Sequence, residues 1–314
     1  MSDATDRFRA DLTALIGTPT GQIAVAVSGG PDSMALLALA HAVAPTIAAT
    51  VDHRLRPESA AEAWMVADWC ARLGIAHVTL TPPADWAPQS IQADARAMRY
   101  VLLTGWAKAN GAAALLTAHH ADDQAETFLM RAGRGSGVTG LGGVRAVRME
   151  GDVRLARPLL GWRRAELRAV VAAQAVPFID DPSNADPRFD RVRMRAWLKD
   201  APIDAAAIAQ SAVACAEAAE ALDTVANLLF VERRREDGWD MTGLPREIRR
   251  RLVRRVIRDV RASAPCEGQF GSATSVEGIL NALEAGQKAT LAGVLASARG
   301  EIWRFAPAPP RRSY

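Results

Sequence analysis

The stretch from Ile23 to Leu37, IAVAVSGGPDSMALL, constrains the fold more than any other part of the chain. Apolar and small residues typical of a strand run into a Ser-Gly-Gly-Pro-Asp-Ser turn, and Pro31 stands near the start of the helix that follows. Two glycines let a backbone approach a phosphate closely, and a helix N-terminus offers unpaired N–H groups. The hydroxyls of Ser28 and Ser33 add donors. The stretch therefore predicts a strand, a phosphate-binding turn and a helix.

This turn differs from the two commonest nucleotide-binding motifs, because it lacks the lysine of a Walker A loop and the G-x-G-x-x-G spacing of a dinucleotide site. It resembles the SGGxDS pyrophosphate loop of the N-type ATP pyrophosphatases. The matching residues are Ser28, Gly29, Gly30, Asp32 and Ser33. The resemblance implies that ATP releases pyrophosphate and leaves AMP on a substrate oxygen. An ordinary corner between a strand and a helix is the alternative.

Composition excludes several classes of protein. Of the 314 residues 49% are apolar, which rules out a disordered chain, and the net charge is only +3. The cysteines form no C-x-x-C pair and no zinc spacing, which favours a reducing, cytoplasmic location. The longest apolar stretch, 211–231, is interrupted by three carboxylates, and no signal-like core is found near the N-terminus. We therefore expect no membrane association.

Strand and helix patterns alternate along the first 200 residues, and this alternation predicts an α/β fold with a doubly wound, mostly parallel sheet. Ligands of such sheets bind at the carboxyl ends of the strands. From about residue 203 the sequence becomes rich in alanine with helical periodicity. We predict a catalytic domain over 1–200 and a smaller, mainly helical domain over 201–314, with a small hairpin within 289–305.

Polar residues follow two further strands at the expected ligand edge. Asp52 and His53 end the second strand, where they either contact a nucleotide or form an ordinary turn. His119 ends a later strand, and the next helix begins with Asp122 and Asp123. Carboxylates beside a triphosphate predict a magnesium site, although carboxylates in a first helical turn also complement the helix dipole.

Arginines cluster in three places. Arg96 and Arg99 share a helix face with Gln92 and Tyr100, which suits phosphate contact as well as a solvated face. Four arginines crowd the stretch 188–195, where they either bind a polyanion or face solvent. The helix predicted over 244–261 carries eight arginines, which favours a nucleic-acid surface over an amphipathic helix without a partner. The glycine-rich run 131–143 is either a loop that closes over a substrate or an ordinary surface loop.

Taken together, these segments resemble the tRNA(Ile)-lysidine synthetase family. The segments that carry the resemblance are SGGPDS, VDHRLRPES, IQADARAMRY, TAHHADDQAET, GRGSGVTGLGG, RPLL, DDPSN and RVRMR. They cover nearly all of residues 22–199, whereas the C-terminal third matches more weakly and is similar to the short form of the family. The longer members have a further C-terminal domain for which this chain has no room, which leaves open how the acceptor end of the tRNA is recognised.

The resemblance implies ligation of L-lysine to C2 of the wobble cytidine of tRNA(Ile) with a CAU anticodon. The cytidine O2 first attacks the α-phosphate of ATP, giving an adenylated base and pyrophosphate, and the lysine amine then displaces AMP. Codon reading changes from AUG to AUA, and the identity of the tRNA changes from methionine to isoleucine. ATP is the co-substrate, Mg²⁺ the expected metal, and a homodimer is compatible with the sequence.

The resemblance also implies roles for individual residues. The residues expected to bind ATP are Ser28, Gly29, Gly30, Pro31, Asp32, Ser33, Asp52, His53 and His119. Asp32 and Asp123 are expected to contact Mg²⁺ or the lysine ammonium, and Arg96 and Arg193 to stabilise phosphate charge during adenylation.

Three other classes of protein stay open. A tRNA thiolation enzyme shares the pyrophosphate loop but commonly uses cysteine pairs, which this sequence lacks. An amidating or condensing enzyme for a small metabolite has no need of an arginine-covered helix. The third class is an inactive RNA-binding module with the same fold, which would be recognised because it transfers no lysine to tRNA.

Overall fold

The computed structural model describes residues 2–54, 59–86, 91–180, 188, 190–271 and 274–309. The chain forms two compact units, Met1–Ala216 and Glu217–Tyr314. The predicted boundary after residue 200 stays a prediction. Residues 55–58 of the VDHRLRPES segment and residues 181–184 of the DDPSN segment lie outside the described residues.

The first unit alternates helices and strands. In chain order its elements are α1 (Ser2–Ile16), β1 (Ile23–Ala26), α2 (Pro31–His41), β2 (Thr46–Val51), α3 (Ser59–Leu73), β3 (Ala76–Leu80), α4 (Ile91–Ala109), β4 (Leu115–Leu116), α5 (Ala121–Ala132), α6 (Val138–Leu141), β5 (Val147–Glu150), β6 (Val153–Ala156), α7 (Arg164–Ala173) and α8 (Asp190–Asp200).

The strands form one six-stranded sheet in the order β3-β2-β1-β4-β6-β5. β1 lies between β2 and β4, and all pairs are parallel except that β5 pairs antiparallel with β6 at one edge. The expectation of a doubly wound, mostly parallel sheet is confirmed. The central strand IAVA is an unbroken apolar run because helices cover both faces of such a sheet.

α2 is the helix that opens at the Ser-Gly-Gly-Pro-Asp-Ser turn, and it is buried almost all round. Met34, Leu36, Leu37 and Leu39 are fully buried in the main core, which also includes residues of α1, α7 and β1. A helix that is apolar on every face belongs in the interior of a layered fold. The burial of α2 thus fixes the position of the turn at the carboxyl end of β1.

The second unit combines helices with a sheet. Its elements are the end of α9 (Ala205–Glu232), β7 (Arg234–Arg235), β8 (Gly238–Asp240), α10 (Arg246–Ser263), α11 (Glu277–Glu284), β9 (Ala289–Leu291), β10 (Val294–Arg299) and β11 (Ile302–Pro307). The predicted hairpin is present as β10 and β11, and it belongs to an antiparallel sheet of order β7-β8-β11-β10-β9. The strands β7 and β8 are too short to give a periodic signal in the sequence.

α9 is the one helix in the described part of the chain that is long and apolar enough to cross a membrane by length and composition. The core helix of a soluble protein passes the same test, so this finding is weak evidence for a membrane.

Cys70 on α3 has no exposed surface, and burial raises the pKa of its thiol to about 11. We predict that a small thiol reagent at pH 8 modifies Cys215 and Cys266, which are half-buried, and leaves Cys70 intact until urea unfolds the chain. Peptide mass spectrometry after timed labelling measures this. Native labelling of Cys70 at the rate of the other two thiols would contradict the packing of α3.

Candidate active site

The turn after β1 has several backbone N–H groups without a backbone partner in the described part of the chain. Gly29 has a φ of +83°, a left-handed conformation that favours glycine, and Gly30 precedes the first residue of α2. Ser33 Oγ accepts a hydrogen bond from Ser28 N at 3.1 Å and donates to Gly30 O at 2.9 Å. The amides of Gly30, Asp32 and Ser33 donate to no backbone carbonyl within the described ranges. These unpaired donors at a helix N-terminus form an anion-binding site.

Three carboxylates surround His120 at the start of α5. The distance from His120 Nε2 to Asp32 Oδ2 is 3.4 Å and to Asp123 Oδ2 is 3.6 Å, while His120 Nδ1 lies 3.6 Å from Asp122 Oδ2. Burial alone would lower the pKa of His120, but its hydrogen bond to Asp32 and the charges of the three carboxylates raise it. The three carboxylates thus favour the protonated form of His120, whose two ring nitrogens lie between them.

Asp122 and Asp123 have different surroundings. Asp122 Oδ2 accepts a hydrogen bond from Arg164 N at 2.8 Å, and both carboxylate oxygens of Asp122 contact the Arg163 guanidinium. Asp123 caps the N-terminus of α5 by accepting a hydrogen bond from His120 N at 3.2 Å, and it also lines the cavity. The carboxylate of Asp122 is thus bonded to residues at the N-terminus of α7, whereas Asp123 combines a structural role with access to a ligand.

Asp123 lines the cavity, and Asp32, which is absent from the lining, lies beside the same ring nitrogen of His120, so these two carboxylates are the ones that fit the predicted magnesium ion. Asp32 Oδ1 is buried and has no hydrogen-bond partner in the described part of the chain. The same part contains no group of three or more His, Cys, Asp or Glu side chains arranged to hold a metal. Mg²⁺ needs only one or two carboxylates when phosphate oxygens and water supply the remaining ligands. The donor set therefore suits a metal that arrives with a nucleotide.

A second acidic group lies one turn further along α5. Glu126 is 1% exposed and accepts a hydrogen bond from Arg195 Nε at 2.6 Å. Burial raises the pKa of Glu126, and the charge of Arg195 only partly opposes this rise. Burial would lower the pKa of Arg195, but its hydrogen bond to Glu126 raises it. Arg195 Nη2 also lies 4.0 Å from Asp123 Oδ1. This ion pair fastens α8 to α5 beside the cavity.

The cavity at the carboxyl edge of the sheet has a volume of about 720 Å³. The turn after β1 forms one part of its lining, and Arg96, Arg99, His119 and Arg191 form another. Burial lowers the pKa of His119 to about 3, with further contributions from Arg157, Arg96, Arg191 and His120. His119 is therefore neutral at ordinary pH in a strongly positive surrounding, which suits a phosphate.

Not every predicted site residue reaches the cavity. His53 lines it and accepts a hydrogen bond from Arg99 Nε at 3.4 Å, and burial followed by the Arg99 charge lowers the His53 pKa. Asp52 is absent from the lining and caps its own turn, accepting hydrogen bonds from Arg54 N at 2.8 Å and Ser59 Oγ at 2.7 Å. Pro31 is buried as the first residue of α2.

The structure does not bring Arg193 to the cavity. Its guanidinium is exposed, forms an ion pair with Asp190 and donates to Arg188 O at 3.2 Å. Arg191 lines the cavity instead, and Arg195 approaches Asp123. The sequence does not indicate which of these arginines faces the cavity, because the rotation of α8 about its own axis depends on its packing against α5.

Arg157 is a buried arginine near the cavity residue His119 to which the sequence analysis assigned no role. It is 2% exposed and donates from Nη1 to Arg145 O at 2.6 Å. Its only signal was its place in the RPLL segment that carries the family resemblance.

The glycine-rich run is bound to α5 through hydrogen bonds. Arg131 Nη1 donates to Gly140 O at 2.6 Å and Gly143 O at 2.9 Å, and Gln124 bonds both backbone groups of Val144. Gly143 has a φ of +65°, and a Cβ there would lie 2.4 Å from Gln124 Oε1. The run therefore needs glycine at this position, and its closure over a substrate stays a prediction.

The arginines of α10 are mostly occupied within the second unit. Arg246 and Arg250 pair with Glu277, while the buried Arg251 pairs with Asp223 and Glu247. Arg249 pairs with Glu301, and Arg254 and Arg261 donate to backbone carbonyls. Arg255 and Arg258 are exposed; Arg255 bonds Asn227, and Arg258 forms no ion pair with a described residue. The helix is thus largely a structural element with a smaller basic surface than its sequence indicates.

The fold and the anion-binding turn together define the class of protein. Residues 4–201 match the family model of the PP-loop domain, a nucleotide-binding domain. A U34-tRNA thiolase from Methanococcus maripaludis has the same fold, with a TM-score of 0.54 and 16% identity over 68% of this chain and 77% of the thiolase.

Two curated relatives then give the particular family. A tRNA(Ile)-lysidine synthase from Novosphingobium aromaticivorans is 45% identical over 100% of this chain and 96% of its own length. The corresponding synthase from Zymomonas mobilis is 41% identical over 97% of this chain and 94% of its own length. The chain belongs to the tRNA(Ile)-lysidine synthase family, and it is a ligase-type enzyme that uses ATP.

Arg195→Gln leaves the buried Glu126 carboxylate without its cation, and we predict a loss of roughly 2 to 4 kcal/mol of unfolding free energy at pH 8. The loss shrinks toward pH 5, because the raised pKa lets folded Glu126 take up a proton there. Urea denaturation measures both values. Arg134→Gln, which breaks the exposed pair with Asp190, serves as the control and costs less than about 1 kcal/mol. Equal costs for the two variants would contradict a buried ion pair.

Proposed function

We propose that the chain ligates L-lysine to C2 of the wobble cytidine of tRNA(Ile) with a CAU anticodon, with cleavage of ATP to AMP and pyrophosphate. Family membership supports tRNA(Ile), lysine and ATP as substrates. The observation that carries the proposal is the anion-binding turn, whose free amides share one cavity with Asp123 and the arginines. A thiolation enzyme is disfavoured because the described cysteines form no pair.

In the proposed first step, the N–H groups and hydroxyls of the Ser28–Ser33 turn hold the leaving pyrophosphate. Arg96 and Arg191 stabilise the negative charge that develops when the cytidine O2 attacks the α-phosphate. Asp32 and Asp123 would hold Mg²⁺, which, when bound, neutralises phosphate charge. Neutral His119 borders the same space without adding a competing cation.

In the proposed second step, the lysine amine attacks C2 and displaces AMP. The acidic side of the cavity, at Asp123, suits the ammonium groups of lysine. The attacking amine must lose its proton, and we assign the carboxylates beside His120 as its acceptors. The product reads AUA instead of AUG and makes the tRNA an isoleucine acceptor. We place this reaction in the cytoplasm, where tRNA is modified, and we retain the homodimer as a proposal.

Asp32→Ala removes a predicted magnesium ligand and one partner of His120, and we predict at least a hundredfold loss of pyrophosphate release. Asp152→Ala, which removes an exposed carboxylate paired only with Lys108, is expected to retain wild-type activity. Purified protein, ATP, labelled lysine and total tRNA allow pyrophosphate release and label transfer to be measured together. Full activity of Asp32→Ala would refute its assigned role.

We further propose that exposed arginines of α10 contact the tRNA backbone. Replacing Arg255 and Arg258 by glutamate should weaken tRNA binding at least tenfold and reduce the slope of log affinity against log salt by about 2. The apparent affinity for ATP should not change. Arg246→Gln, which breaks pairs with Glu277 and Glu284, should lower thermal stability instead. A salt titration with unchanged affinity and slope in the double variant would remove α10 from the interface.

A further inference from the structure

Two guanidinium groups meet at the side chain of Tyr100, which lies on α4 and is only 9% exposed. Arg96 Nη2 donates to Tyr100 Oη at 3.3 Å. The Arg148 guanidinium carbon lies 4.8 Å from the ring centroid of Tyr100. One phenol thus contacts two cations next to the cavity that Arg96 and Tyr100 line.

The arginines of this group are short of negative partners. Arg148 pairs with Glu150 at 2.5 Å, but neither Arg96 nor Arg157 forms an ion pair with a carboxylate of the described residues. Arg157 Nε is buried without a hydrogen-bond partner in the same part of the chain. Burial lowers the pKa of Arg157, the nearby Tyr100 raises it, and the charges of Arg148 and Arg96 lower it. The phenol oxygen of Tyr100 accepts a hydrogen bond from Arg96, which offsets part of the repulsion among these arginines and fixes the position of the Arg96 guanidinium.

We propose that Tyr100 is a positioning residue for the ligation reaction. Its phenol oxygen holds Arg96 in place, so that this wall of the cavity presents fixed positive charge to a phosphate group before any substrate binds. The phosphate belongs either to ATP or to the RNA backbone beside the target cytidine. The inference rests on the proposed function for the identity of both sources.

Tyr100→Phe tests the role of the oxygen alone, because the ring and its contact with Arg148 are retained. Loss of a hydrogen bond to a charged group corresponds to about a tenfold fall in the affinity for the phosphate that the wall binds. The matched control is Thr104→Val, which removes a hydroxyl one turn further along α4 that donates to Tyr100 O at 2.7 Å. Thermal melting of both variants reports whether the fold is preserved.

Two binding measurements distinguish the source of the phosphate. One arm measures ATP affinity without RNA, and the other measures the affinity for an anticodon stem-loop RNA without ATP. A tenfold fall in either arm for Tyr100→Phe, with Thr104→Val unchanged, supports the inference and names the source. No change in either arm, or equal falls in both variants, overturns it. Neither arm requires lysine transfer, so failure of the proposed ligation in the wild-type protein remains a separate result.

Discussion

Burial of α2 against the parallel sheet is the constraint on which the site depends. The helix has apolar residues on every face, so it is buried in the core and its first turn is held at the carboxyl end of β1. Asp32 stands in that first turn and is thereby carried toward His120 at the start of α5. The packing of α2 against the sheet therefore positions both the unpaired amides and the carboxylate cluster.

The sequence predicted the framework well and the site in part. The turn after β1, the parallel sheet and the acidic start of α5 have strong local signals, because each needs particular residue types at fixed spacing. For Asp52 and Arg193, such local signals do not predict whether the side chain reaches the cavity. Asp52 has the right place on its strand but bonds its own loop, and Arg193 differs from Arg191 only by the rotation of α8. Such choices depend on packing between elements that are far apart in the chain.

Arginine serves two different purposes in this chain. On α10 most guanidiniums are neutralised by carboxylates or carbonyls of the same unit, so that a helix with eight arginines leaves a limited basic surface. Beside the cavity, Arg96 has no such carboxylate within the described ranges, and it donates to the phenol oxygen of Tyr100. Counting charges along a sequence does not separate these cases, because the difference lies in which acidic side chains the fold brings within reach.

The antiparallel strand β5 has a consequence for how the protein behaves at high concentration. A parallel sheet that ended at β6 would expose a row of unpaired backbone groups to any passing extended chain. β5 covers that row, and two of its four residues are the ion-paired Arg148 and Glu150. A short edge strand with charged side chains is a poor template for strand addition. This margin of the sheet is therefore protected against edge-to-edge aggregation.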